Sequence, residues 1–144
     1  MSKARHLLDV NVLLALLDES HVHNLLVSAW FATRGLDWGV CAFTETGFLR
    51  VMTNTKLSHA WPVETAKAAL TDLEQRAGYR YWPITASWTT LIAPFRERIF
   101  GHQQITDALL LGLAVQEGGV LVTMDKAIQH MAGPRLSHHV LVLS

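Results

Sequence analysis

The sequence of 144 residues lacks the features that mark secreted, membrane-spanning or disulfide-linked proteins. Its one cysteine, Cys41, has no second cysteine to pair with, so no disulfide forms within the chain. No apolar stretch approaches the roughly 18 residues of a membrane span. The apolar run near the N-terminus is interrupted by Asp9 and Asn11, which argues against a signal peptide. We therefore expect a cytoplasmic protein without a membrane segment.

A net charge is absent as well, because 12 lysines and arginines balance 12 aspartates and glutamates. The chain therefore lacks the overall positive charge of many nucleic-acid-binding proteins, although a local basic patch is compatible with neutrality. Glycine-rich nucleotide-binding motifs and the G-x-S-x-G motif of α/β-hydrolases are missing too. Apolar residues, in contrast, make up 50% of the chain, which is enough to form a folded core.

The spacing of the apolar residues predicts alternating strands and helices. The predicted strands are 6–9, 38–41, 79–84, 120–123 and 140–143, and the predicted helices are 10–17, 21–33, 44–52, 63–77, 87–97, 105–117 and 125–131. Short strands that are apolar throughout indicate a parallel sheet with helices on both faces. We therefore predict one α/β domain over residues 1–144, with ligands binding at the carboxyl ends of the strands.

Two acidic residues lie where predicted strands end. Asp9 interrupts the run "HLLDVNVLL", and Asp125 comes after the segment "VLVTM". Because the strands are predicted to be parallel, both side chains should lie at the edge of the sheet where ligands bind. Burying an unpaired carboxylate costs several kcal/mol, so we interpret Asp9 as a functional residue. For Asp125, capping of the following helix is an alternative role.

Two further acids lie on predicted helices. Glu45 shares a helix face with Phe48, Leu49 and Met52, so its carboxylate should point towards the interior. Asp107 begins a helix that is apolar nearly all round and is therefore buried, although a capping or helix-dipole role is an alternative for this residue. We expect one pocket to gather the four acids, namely Asp9, Glu45, Asp107 and Asp125.

Four carboxylates in one pocket would repel one another, by roughly 4 kcal/mol for each pair at about 4 Å and an effective dielectric near 20. Protonation or bound cations relieve this repulsion, and all-oxygen sites suit Mg²⁺ or Mn²⁺, the usual ions of phosphoryl-transfer enzymes. Asn11 and Thr123, each two residues from one of these acids, are candidates for orienting the ligands or a metal-bound water. Local turn or capping hydrogen bonds are the alternative for both.

Four segments resemble, in order and spacing, the acidic motifs of PIN-domain nucleases, and most closely those of the VapC toxins of bacterial type II toxin–antitoxin systems. The segments are "LLDVNVLLALLDESHVHN", "TETGFLRVM", "ITDALLLGLA" and "VLVTMDKAI", and the resemblance runs over essentially the whole chain. It implies a PIN-like three-layer α/β/α fold with a central, mostly parallel sheet. It also implies a Mg²⁺- or Mn²⁺-dependent endoribonuclease that cuts structured RNA, such as tRNA or rRNA.

The resemblance also implies roles for the four acids. It makes Asp9 and Asp107 the main metal ligands, with Glu45 and Asp125 completing the catalytic cluster directly or through water. The family pattern implies products with 5′-phosphate and 3′-hydroxyl ends. It further implies a homodimer and a cognate VapB-type antitoxin, whose C-terminal segment is inserted near the acidic pocket.

Basic residues near the motifs are candidates for contacts with RNA phosphates, with solvated surface charge as the alternative. These candidates are Arg50, Lys56, Arg96 and Arg98. Two other functions stay open at this point. One is a PIN-fold module that binds RNA or a partner without cleaving it. The other is a response-regulator-like signalling domain, which also gathers acids at strand ends but does not accommodate Glu45 and Asp107.

Overall fold

The computed structural model describes residues 3–144 and shows a central sheet of four parallel strands in the order β2-β1-β3-β4. The strands are β1 (Arg5–Leu8), β2 (Asp37–Gly39), β3 (Val120–Thr123) and β4 (Val140–Val142). The helices are α1 (Val10–Leu17), α2 (Asn24–Phe31), α3 (Ala42–Met52), α4 (Val63–Leu73), α5 (Trp88–Ile92), α6 (Ile105–Gln116) and α7 (Lys126–Leu136). Helices lie on both faces of the sheet, which confirms the predicted fold class.

The strand β1 lies inside the sheet and pairs with both of its neighbours. Leu7 is opposite Gly39 of β2 and opposite Leu121 of β3. Because the strands are parallel, the carboxyl ends of β1, β2 and β3 meet at one edge, and the chain continues from there into α1, α3 and α7. Asp9 and Asp125 both follow strands at this edge, as the sequence predicted.

Two apolar clusters cover the two faces of the sheet. Leu7 and Leu121 belong to a cluster with residues of α6 and α7, whereas Leu8 and Val122 belong to a cluster with residues of α1, α3 and α4. Consecutive strand residues point to opposite faces, which explains why each strand serves both clusters. The apolar helix α6 is buried, as predicted, because it packs against the sheet, α5 and α7. No helix within residues 3–144 combines the length and apolar character needed to cross a bilayer.

The prediction of a regular strand over residues 79–84 is wrong. Tyr79 forms an isolated parallel bridge to β2, and the backbone N–H groups of Arg80 and Trp82 donate to carbonyls of β2 and the residue after it, at 2.8 and 2.9 Å. The segment therefore runs alongside the edge of the sheet for a short distance. Pro83 has no N–H group with which to continue the pairing.

Two prolines shift helix boundaries from the predicted ones. The predicted helix 87–97 ends as an α-helix at Ile92 and continues as a 3₁₀ segment that contains Pro94 near its start. The last helix, α7, runs beyond its predicted end but kinks at Gly133, which has a φ of 73° and precedes Pro134. The end of the α-helix at Ile92 and the kink in α7 both lie next to a proline, which cannot donate a helical hydrogen bond.

Gly39 lies where β2 and the segment after Tyr79 approach too closely for a side chain. A Cβ atom on Gly39 would lie 1.8 Å from the carbonyl oxygen of Arg80. We expect Gly39→Ala to lower the free energy of unfolding by about 1–3 kcal/mol, because the added methyl group forces the backbone apart. Urea unfolding measures this change. Gly101→Ala is the control, since a Cβ there meets nothing within 4 Å; equal losses in both variants would contradict the close approach.

Candidate active site

Asp9 connects β1 to α1 at the carboxyl edge of the sheet. Its backbone N–H donates to the carbonyl oxygen of Val122 at 3.1 Å, which continues the pairing of β1 with β3. Its side-chain Oδ1 accepts a hydrogen bond from the backbone N–H of Val12 at 2.9 Å and so caps α1. The residue is only 5% exposed. A carboxylate thus stands between two apolar runs because one element ends and the next begins at this residue.

Burial raises the pKa of Asp9 from 3.8 to about 6, because it disfavours the charged form of the carboxyl group. The charges of Asp107 and Asp125 raise this pKa further. The polar side chain of Thr123 and the hydrogen bond from the Val12 backbone lower this pKa, because both favour the charged form. The three aspartates are therefore near enough for their charges to interact.

Asp107 and Asp125 come to this edge from two different elements. Asp107 is half-buried in the first turn of α6, and burial together with the charge of Asp125 raises its pKa to about 6. Asp125 is exposed, and its Oδ1 accepts a hydrogen bond from the backbone N–H of Ala127 at 2.9 Å. The capping role considered for Asp125 is thus confirmed, and this role leaves its second carboxylate oxygen available to the site.

Thr123 is a buried residue close to two of the aspartates. Its Oγ1 accepts a hydrogen bond from the backbone N–H of Asp125 at 3.0 Å, and its side chain is near enough to Asp9 to lower the pKa of that carboxyl group. The hydroxyl group accepts this bond through a lone pair, so its own hydrogen stays available to the Asp9 carboxylate. The position of Thr123 is therefore suited to orienting Asp9, the role predicted for it.

A cavity of about 210 Å³ opens beside Asp9 and Asp107. Its other lining residues are Val10, Asn11, Phe43, Gly47, Arg50, Val51, Thr106 and Leu110. Gly47 was not predicted as a site residue; a Cβ at this position would lie 2.6 Å from Cγ2 of Val10, so its lack of a side chain lets α3 approach α1. The cavity thus brings two carboxylates, one amide and one guanidinium group together.

Glu45 does not lie in this cavity, contrary to the expected gathering of four acids. Burial raises its pKa to about 7, and its neighbour Glu74, at the end of α4, raises the pKa further through a hydrogen bond and its charge. Glu74 also accepts a hydrogen bond from the hydroxyl group of Tyr79 at 3.2 Å. The cavity is instead lined by the opposite side of α3, with Phe43, Gly47, Arg50 and Val51. Glu45 does face inwards, but towards α4.

The oxygen donors at this edge suit a hard divalent cation. Among residues 3–144, no three His, Cys, Asp or Glu side chains converge closely enough to enclose a metal ion. Mg²⁺ does not need such a cage, because it usually keeps several waters and binds through one or two carboxylates. Asp9 and Asp107 provide such a pair. The pKa values of both are raised because their negative charges are unfavourable here, and a bound cation would offset that charge. The residues present therefore fit Mg²⁺ or Mn²⁺.

Comparison with known families and proteins gives the wider context of this site. The family model described as "PIN domain" matches residues 6–134, a range that includes all three aspartates. The chain belongs to the PIN-domain family. Its curated relatives include Ribonuclease VapC38 of Mycobacterium tuberculosis, 40% identical over 131 residues, covering 90% of this chain and 91% of the relative. Ribonuclease VapC44 of the same species is 40% identical over 137 residues, covering 90% and 92%. These relatives confirm the resemblance to the VapC family.

Solved structures of low sequence identity share the fold of this PIN domain. The complex VapBC2 from Rickettsia felis, bound to a DNA fragment from its promoter, aligns with a TM-score of 0.68 at 14% identity and covers 96% of this chain and 98% of that chain. The Mycobacterium tuberculosis toxin VapC20, described as cleaving the sarcin-ricin loop, aligns with a TM-score of 0.63 at 14% identity, covering 89% and 95%. The PIN fold is thereby confirmed, and the response-regulator-like alternative is wrong.

The four basic residues predicted to contact RNA are separated in this PIN domain. Arg50 lines the aspartate cavity. Lys56 is exposed in the loop after α3, where its backbone N–H donates to the side chain of Asn54 at 3.0 Å. Arg96 and Arg98 line a different cavity, which also contains Arg135, a residue that the sequence did not single out. Of the four, Arg50 is the one that the geometry associates with Asp9 and Asp107.

Proposed function

We propose that this PIN domain is an endoribonuclease that hydrolyses RNA phosphodiester bonds with Mg²⁺ or Mn²⁺ and acts as the toxin of a type II toxin–antitoxin system. The observation that carries the proposal is the cavity that Asp9, Asp107 and Arg50 line at the carboxyl edge of the sheet. The names of two relatives at 40% identity, both ribonucleases, support the same reaction class. The family's fourth acid, Glu45, lies beside Glu74, so the proposed site rests on three aspartates.

The proposed site combines negative carboxylates with one positive side chain across a small cavity. A divalent ion bound there would polarise the scissile phosphate and lower the pKa of the attacking water. Arg50 donates hydrogen bonds to phosphate oxygens and stabilises the negative charge that develops on them. Thr123 is proposed to orient Asp9, and Asn11 lies on the cavity wall where its amide can orient a water molecule.

We extend the proposal to the substrate and the partners. Structured RNA, such as tRNA or rRNA, is the proposed substrate, and water attacks phosphorus in line to leave 5′-phosphate and 3′-hydroxyl ends. A cognate VapB-type antitoxin is the proposed inhibitor, which is supported by a structural relative that is a VapBC complex. We further propose that the chain acts in the cytoplasm as a homodimer. Size measurement by light scattering tests the homodimer.

Metal removal tests the proposed reaction. We expect the purified chain to cut structured RNA in the presence of Mg²⁺ or Mn²⁺, to lose this activity in EDTA, and to regain it when the ion is restored in excess. The ends are identified by whether a ligase that requires a 5′-phosphate accepts the products. If RNA stays intact with both ions although the chain binds it, the domain is a non-catalytic RNA-binding module and the proposed function is wrong.

A further inference from the structure

A second cavity, of about 560 Å³, lies between the 3₁₀ segment Ala93–Arg98 and the end of α7, and it shares no lining residue with the aspartate cavity. Three of its lining side chains are arginines and one is an acid, namely Arg96, Arg98, Arg135 and Glu97. Within the described part of the chain, none of these arginines forms an ion pair. A chain with no net charge therefore concentrates an excess of positive charge at this place, three arginines against one glutamate.

The backbone at the kink of α7 makes room for the side chain of one of these arginines, Arg98. Gly133, at the kink of α7, has a φ of 73°, and a Cβ there would lie 2.6 Å from Cζ of Arg98. Glycine permits both the left-handed backbone and the close approach of the guanidinium group. The main chain around Arg98 is also anchored, because its carbonyl oxygen accepts a hydrogen bond from the side chain of Gln104 at 3.3 Å. The kink thus places Arg98 beside Arg135 in a cavity that exists before any ligand binds.

We propose that this arginine cavity, formed by Arg96, Arg98 and Arg135, binds phosphate groups of the RNA substrate at a distance from the scissile bond. The proposal rests on the proposed ribonuclease function and adds a second contact site to it. Guanidinium groups bind phosphate oxygens through paired hydrogen bonds. Phe95, the aromatic residue of the lining, is only 1% exposed, so the cavity offers charge but no surface on which a base could stack. These properties favour the RNA backbone over its bases or an apolar peptide.

The helix α7 connects the two sites. Asp125 caps the start of this helix, and the kink at Gly133, against which Arg98 packs, comes eight residues further on, which corresponds to roughly 12 Å along the axis. One phosphate group cannot contact both sites, so the RNA must extend several nucleotides beyond the scissile bond to reach the arginine cavity. Contacts of this kind position the RNA without reading its sequence. The cavity therefore selects for the length and shape of the RNA.

The test compares two triple variants of the full chain that lose the same charge. Arg96→Gln/Arg98→Gln/Arg135→Gln removes the cavity's arginines, and the control replaces three exposed cations elsewhere, Arg34→Gln/Lys67→Gln/Arg76→Gln. Fluorescence anisotropy in EDTA measures the Kd of a structured RNA hairpin of about 30 nucleotides. We expect the cavity variant to bind on the order of 10-fold more weakly. Its slope of log Kd against log salt should fall by about 2–3, at about 0.7–0.9 for each of the three lost phosphate contacts, and the control should change far less.

Equal effects of the two triple variants would overturn the proposal. The proposal would also be overturned if the cavity variant lost binding to poly-glutamate but kept binding to RNA. The site would then recognise an acidic peptide. If the triple variant does not fold, the double variant Arg96→Gln/Arg135→Gln serves instead, because it keeps Arg98 packed against Gly133. It should show about two thirds of the change in slope. Because EDTA excludes cleavage, a wild-type chain that binds RNA but never cuts it would contradict the proposed function without affecting this test.

Discussion

Asp107→Asn is expected to lower the rate of RNA cleavage by roughly 10³-fold or more while leaving the fold intact. Asparagine has the same shape as aspartate but no charge, so it cannot attract the ion that the site is proposed to bind. Loss of one transition-state contact costs roughly 10²–10³ in rate, and a bound ion makes several such contacts. Asp107 lies in the first turn of α6 without capping it, so the substitution breaks no capping hydrogen bond. Initial rates of RNA cleavage in excess Mg²⁺ measure the effect.

Asp72→Asn is the matched control for this substitution. Asp72 is an exposed residue of α4, and its replacement changes the net charge by the same amount without affecting either cavity. We expect this variant to cut RNA at the wild-type rate. An Asp107→Asn chain that keeps more than about a tenth of the wild-type rate would mean that Asp107 does not hold the ion, and the proposed site would then be wrong.

The location of Asp9 could be predicted from the sequence because its causes are local. An apolar strand and an apolar helix flank this residue, so the position where one ends and the other begins is visible in the residue pattern alone. The parallel sheet then places Asp125, which follows another strand, at the same edge. These inferences needed only periodicity and the rule that parallel strands end together.

The direction of Glu45 could not be predicted in the same way. Helical periodicity correctly gives this residue an inward face, since its neighbours Phe48 and Met52 are buried. A helix at the edge of a sheet, however, has more than one inward neighbour. Here the face that carries Glu45 packs towards α4, and the face that carries Gly47 and Arg50 lines the aspartate cavity. Choosing between these neighbours requires the tertiary arrangement, which no spacing within the helix contains.

The arginine cavity was hidden from sequence analysis for a related reason. Arg96 and Arg98 could be identified as a local basic pair, but Arg135 joins them only because α7 kinks at Gly133. The sequence Gly133-Pro134 predicts a break in the helix, and it does not predict which residues the break brings together. Long-range contacts of this kind depend on the packing of complete elements.

Asp9→Asn is expected to stabilise the metal-free protein at pH 8 by up to about 3 kcal/mol. The folded-state pKa of about 6 lies above the ordinary value of 3.8, so the folded state holds the proton more tightly than the unfolded chain does. The stabilisation that the protonated Asp9 provides is therefore complete below pH 3.8, decreases between pH 3.8 and about 6, and is lost above about pH 6. At 1.36 kcal/mol per pH unit, the total loss is about 3 kcal/mol. Asparagine stays neutral, and its Oδ1 can still accept the Val12 N–H that caps α1. Urea unfolding in EDTA should show a small difference between variant and wild type at pH 4 and a large one at pH 8.

Addition of Mg²⁺ should reduce or reverse this difference in stability. An ion that binds only the folded state stabilises it by about 2.7 kcal/mol at 100 times its Kd. The wild-type chain should gain this stabilisation, whereas the Asp9→Asn chain lacks the carboxylate that holds the ion. An equal gain in stability for both chains on addition of Mg²⁺ would mean that Asp9 is not a metal ligand. A variant less stable than wild type in EDTA at pH 8 would instead contradict the penalty that burial imposes on this charge. The buried charge of Asp9 thus lowers the stability of the metal-free protein, and the same carboxylate is the group proposed to bind the ion.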